Sequence, residues 1–186
     1  MRLATLLTVG LLLIAATAVA EKTPYNYPIV DHPLDRQGGD TVASATPITV
    51  LPFSGSGSTI GYGNDYDAVC PYNLPGAPDV VYSLVPCLNG VLEITLCAAS
   101  AYDTKLYVLD SGLNVIACND DFCPGYVSEL TYASGSPVAV TAGSLYYIVV
   151  DGWSPSDMGY YTIDITGMDC TTAVEETSFG TVKSLY

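Results

Sequence analysis

The stretch Ala101–Gly167 constrains the fold most, because it is written almost entirely in a two-residue period. Leu106 and Val108 alternate with Lys105 and Tyr107, and Tyr161, Ile163 and Ile165 alternate with Thr162, Asp164 and Thr166. Successive side chains of a strand point to opposite faces, so this pattern describes strands with one buried face. Leu145–Val150 is apolar throughout, as suits a central strand. Ser111-Gly112 and Ala142-Gly143 supply turns between such runs.

The same reading extends upstream. Leu92, Ile94 and Leu96 alternate with Glu93 and Thr95 in Val91–Cys97, and Asp79–Pro86 is a further strand candidate. Earlier candidates are Ile48–Phe53 and Ser58–Tyr62, with Ser54-Gly55-Ser56-Gly57 expected as the hairpin turn between them. Leu113–Ala117, Ser128–Tyr132 and Val138–Thr141 complete the set. Some nine short strands with no helical period define an all-β, two-layer antiparallel sandwich in a single domain. The 15 Tyr, 17 Gly and 12 Pro fit this class, and 49% apolar against 13% charged residues excludes compositional disorder.

Met1–Ala20 carries Arg2, the apolar run Leu6–Ala16 and the small-residue site Ala18-Val19-Ala20, which together read as a secretory signal peptide. The expected location is therefore extracellular, cell-surface or periplasmic, with no membrane span after cleavage. Residues 21–37 form a Pro-containing arm, residues 38–168 the sandwich, and residues 169–186 a tail. In an oxidising compartment the six cysteines Cys70, Cys87, Cys97, Cys118, Cys123 and Cys170 read as disulfides. Zinc is disfavoured, because Cys118 and Cys123 are the one close pair and His32 is remote. The connectivity stays open. The pairs favoured are Cys118–Cys123, stapling the loop between them, and Cys87–Cys170, tying the tail to an early strand.

The net charge of −14, from 19 acidic and 5 basic residues, repels nucleic acid and anionic membranes and is compatible with divalent cations. Asn119-Asp120-Asp121 gathers oxygen donors in one turn, and Asp103 is expected to approach it across a hairpin, as Ca²⁺ requires. A second candidate set is Asp40, Asp65, Asp67 and Asp79. Turn closure by Asp and Asn is the competing explanation for both. Trp153, after the strand ending at Asp151-Gly152, is expected to offer an exposed ring for stacking.

DTKLYVLD, NVIACNDD, SELTY, TAGSLYYIVVDGW and GYYTIDI, in that order over Asp103–Ile165, resemble the bacterial pre-peptidase C-terminal domain. The opening GGDTVASATPI and the strand PDVVYSLVP are similar to the same family. The resemblance implies a jelly-roll-like sandwich and a secreted, non-catalytic module. Its partner would be an extracellular polysaccharide or protein. Related collagen-binding modules hold calcium between an N-terminal segment and an early loop, where Asp40 and Asp79 match in position. Two alternatives are a disulfide-stapled envelope or matrix protein and a small hydrolase with a carboxylate site. Catalysis has little support, since nucleophilic hydrolysis needs a base and His32 lies in the arm.

Overall fold

In the computed structural model, residues 36–70 and 76–170 are described; the leader, His32 and the tail beyond Cys170 lie outside them. Ten strands run in chain order: β1 Thr46–Ile48, β2 Phe53–Ser58, β3 Val80–Leu84, β4 Gly90–Thr95, β5 Thr104–Asp110, β6 Val115–Asn119, β7 Glu129–Leu130, β8 Val138–Val140, β9 Tyr146–Gly152 and β10 Tyr160–Thr166. They form two sheets. The front sheet has the order β1-β3-β9-β5-β6, and the back sheet β2-β10-β4-β7, with β8 beside β7 on the same edge of β4. All pairings are antiparallel except β1 with β3. The protein is thus an all-β, jelly-roll-like sandwich.

The alternation sets the layers. Leu106, Val108, Ile148 and Val150 of the front sheet meet Ile163 and Ile165 of the back sheet in the main core. The Tyr82 and Tyr161 hydroxyls meet across that core at 2.7 Å, and Tyr82 donates to the Arg36 carbonyl at 2.8 Å. This chain of bonds ties the N-terminal segment to both sheets.

The front sheet is buried on its other face too. Val81, Tyr107, Leu109 and Val149 form a second, smaller core under Tyr66 and Ala68 of the β2–β3 loop. This explains the unbroken apolar run of β9, which lies at the centre of the front sheet.

The expected strands Ile48–Phe53 and Ser58–Tyr62, and the turn between them, are corrected: residues 49–52 connect β1 to β2, and residues 59–62 follow β2 as a loop. Ser54–Gly57 is not a turn but the middle of β2, where Gly55, Ser56 and Gly57 pair with Ile163, Thr162 and Tyr161. Gly57 is required there for space: a Cβ would lie 2.3 Å from the Tyr161 hydroxyl. Gly57 marks a close approach inside a strand, not a reversal.

Three disulfides staple the sandwich: Cys70–Cys118, Cys87–Cys170 and Cys97–Cys123. Cys87–Cys170 is the pair expected. Cys118–Cys123 is corrected, because the two side chains lie on opposite faces of the front sheet. Cys118 packs on the outer core, where it meets Cys70 of the covering loop, and Cys123 packs on the inner core beside Cys97.

Candidate functional site

Four features of the molecule are candidate sites. The first is acidic. Asp103 immediately precedes β5, and Asp120 and Asp121 immediately follow β6. Because β5 and β6 pair antiparallel, with Leu106 opposite Asn119, the two ends meet. Carboxylate oxygens of Asp103, Asp120 and Asp121 lie within 4.8 Å of one another. Asp103 and Asp120 are buried and Asp121 is exposed. The backbone beneath is held firmly. The buried Ser128 hydroxyl sits 2.6 Å from the Asp120 carbonyl, and Ser128 N–H donates to Thr104 Oγ1 at 2.8 Å. Asn119 accepts the Glu129 N–H at 3.1 Å through its side-chain oxygen, so it clamps β7 against β6. An all-carboxylate set of this kind fits a hard divalent cation and no soft one.

The second acidic set does not converge. Among the described residues, the only other such cluster is Cys97, Cys123 and Glu129, whose two cysteines are a disulfide. Asp40 accepts the exposed Gly63 N–H at 3.0 Å. Asp79 accepts the N–H groups of Asp65 and Tyr66 at 2.8 and 3.0 Å. Both close the β2–β3 loop, as Asp side chains commonly do in turns. Asp40 and Asp79, the positions at which the resemblance implies calcium, thus each accept backbone N–H groups of one loop. Asp79 is turned beneath the loop and Asp40 is at its rim.

Beneath that loop lies a third feature, a buried polar cluster that sequence reasoning missed. Lys105 and Asp151 are directly opposed on β5 and β9 and are almost wholly buried, with Nζ 3.5 Å from Oδ2. Asp151 Oδ1 accepts the Gly152 N–H at 2.7 Å and the Ala77 N–H at 3.3 Å. Tyr107 donates its hydroxyl to the Tyr66 carbonyl at 2.8 Å and stands 3.3 Å from Asp151 Oδ2. Burial pushes Asp79 up to about 7, against the pull of the Tyr66 and Asp65 N–H groups, with the charge of Asp151 adding to the rise. Burial pushes Asp151 up to about 6, against the attraction of Lys105. Lys105 alternates with apolar residues and so reads as solvent-facing. The apolar run of β9 was the signal that its neighbours are covered as well.

The fourth feature is an exposed apolar patch along β6, an edge of the front sheet. Val108 pairs with Ala117 and Leu109 with Val115, so Ile116 is an extra residue that bulges the strand. Val115 and Ile116 are exposed, as are Leu113 in the turn before β6, Phe122 in the loop after it and Val69 beside Cys70 in sequence. Leu113 adopts φ 63°, a left-handed conformation unusual for leucine. Asp110 sets that turn by accepting the N–H groups of Gly112 and Asn114 at 2.8 and 2.9 Å. Those bonds, Asn114 foremost, hold the Asp110 carboxyl below its ordinary range.

Trp153, expected as an exposed platform, is half-buried with its indole nitrogen shielded from solvent. The tyrosines divide similarly: Tyr107 and Tyr161 are fully buried and Tyr146 nearly so, while Tyr132 is the exposed one. A shallow cavity of about 280 Å³, lined by Pro47, Ile48, Thr49, Ser83, Leu84 and Val85, carries no titratable side chain. No helix among the described residues is long and apolar enough to cross a membrane.

The chain matches no family model and no curated protein sequence. Among solved structures it is similar to PliG of Aeromonas hydrophila, a periplasmic inhibitor of g-type lysozyme. The TM-score is 0.39 and the identity 13%, over 66% of this chain and 94% of that one.

Proposed function

We propose that this protein is a secreted, non-catalytic binding module of the pre-peptidase C-terminal type, which engages an extracellular protein of basic character through the β6 edge. The observation that carries this reading is the pair of exposed apolar residues Val115 and Ile116 at the bulge of the β6 edge, with Leu113 exposed in the turn before it, in a chain of net charge −14. The described part of the chain has two cations, Arg36 and Lys105, and Lys105 is buried. An apolar centre with carboxylates around it, Asp110 and Asp121 nearest in sequence, complements an apolar anchor with basic neighbours. The strained Leu113 supports the same reading, since strain persists where it serves a site.

The same reading places a Ca²⁺ ion at Asp103, Asp120 and Asp121, where it would join the start of β5 to the end of β6. That would stiffen one end of the binding edge.

The test is retention of the mature, oxidised protein on immobilised basic extracellular proteins, collagens and neutral insoluble glycans. Binding to a protein ligand that is lost in Ile116→Asp and kept in Tyr132→Asp supports the proposal. Retention on glycans alone, or retention indifferent to Ile116→Asp, contradicts it. Calcium is tested by thermal melts with the ion and with chelator. A site filled at about a hundredfold excess over its Kd adds about 2.7 kcal/mol, an upward shift that Asp120→Asn should abolish.

A further inference from the structure

Lys105, Asp151 and Asp79 stand side by side across three adjacent strands. Lys105 is the register partner of Asp151, and Val80 is the partner of Val150, so Asp79 falls on the other flank of Asp151. Lys105 is 1% exposed, and both aspartates are 0% exposed. A buried ion pair is favourable only when its geometry is close and its remaining polar atoms are satisfied. Here the ammonium has Asp151 Oδ2 at 3.5 Å and the Ala68 carbonyl at 3.4 Å. Charge-assisted bonds are normally about 2.7–2.9 Å, so the pair is poorly compensated as ions. Asp79 Oδ1 is buried without a hydrogen-bond partner. An ion pair is a weak explanation of this arrangement.

We propose that Lys105 and Asp151 condense with each other to form an intramolecular amide bond, with Asp79 as the proton carrier. Lys105 Nζ attacks Asp151 Cγ. Asp151 Oδ1, held by the Gly152 and Ala77 N–H groups, takes the developing negative charge. The new bond is Nζ–Cγ, and the bond that breaks is Cγ–Oδ2. Oδ2 leaves as water, and both its hydrogens come from the lysine ammonium, passed in turn through the Asp79 carboxyl. Nothing is oxidised or reduced, and no co-reactant is needed. Two conditions favour the reaction. Folding fixes the partners in register on neighbouring strands. The product also replaces two buried charges with a neutral amide. The bond would join β5 to β9 at the centre of the front sheet.

The measurement is the intact mass of the secreted, disulfide-bonded chain, followed by peptide mapping. The expected mass is lower than that of the oxidised chain by one water. The map should show a branched peptide joining Lys105 to Asp151, absent from Lys105→Arg. Asp79→Asn should retain a folded chain, judged by its circular dichroism, with the water not lost. The Asp151-Gly152 sequence can also lose water by closing a succinimide on its own backbone. That product would leave the Lys105 peptide unbranched, and it would overturn the proposal. A full oxidised mass for the folded wild-type chain would do the same.

Discussion

Asp79 shows how far burial changes what a residue does. Its ordinary carboxyl value of 3.8 is pushed up to about 7, chiefly by loss of water, and Asp151 is raised in the same sense. A raised carboxyl binds its proton more tightly in the folded state than in the unfolded one. Its contribution to stability is therefore present at acid pH and is lost as pH rises through about 4 to 7. Denaturant midpoints measured across that window should fall more steeply with pH in the wild type than in Asp79→Asn, which cannot ionise there. Parallel slopes would contradict the assignment. Leu113 carries a different cost. Its left-handed backbone costs roughly 1–2 kcal/mol that glycine avoids. Leu113→Gly should raise stability by about 1 kcal/mol while weakening partner binding; a variant that binds as well as the wild type would remove Leu113 from the interface. The sequence located Asp103, Asp120 and Asp121 together, because a hairpin joins the ends of its two strands. It did not reveal Lys105 and Asp151, because a two-residue alternation says which residues share a face and not whether a distant loop covers that face.

Among the elements, β4, β5 and β10 were legible from alternation, since each turns apolar residues toward the main core, and β9 from its unbroken apolar run. β2 was not, because its Ser-Gly-Ser-Gly sequence has no apolar face and owes its place to pairing with β10. Cys87–Cys170 was read correctly, and the Cys118–Cys123 pairing failed for a similar reason. Cys118 and Cys123 are close in the chain, but the face each occupies depends on the strand pleat and on the path after β6. Cys70–Cys118 pins the covering loop across a separation of 48 residues. Removing it as Cys70→Ser with Cys118→Ser should cost about 2–4 kcal/mol. Amide exchange should quicken first at Tyr66 and Ala68, with β10 still protected. Uniform loss of protection would show that the loop and sandwich open as one unit. Within the main core, Ile163→Ala should cost about 2–5 kcal/mol, since the side chain is fully buried between the sheets.

At the scale of the whole molecule, the acidic surface and the apolar β6 edge belong to one design. A net charge of −14 keeps such chains apart, so an exposed apolar strand edge can exist without self-association. The bulge at Ile116 adds to this by spoiling a flat edge. On the proposed reading this surface receives a basic partner, and the same net charge opposes pairing with copies of itself. The most direct measurement is the association of the wild-type protein with a retained basic partner, followed against salt and compared with Ile116→Asp. A β6 interface of this kind should give an on-rate that falls steeply with ionic strength and a dissociation rate at least about tenfold faster in the variant, equivalent to about 1.4 kcal/mol. Equal dissociation rates for the two proteins would contradict it, and would place the partner on another face of the sandwich.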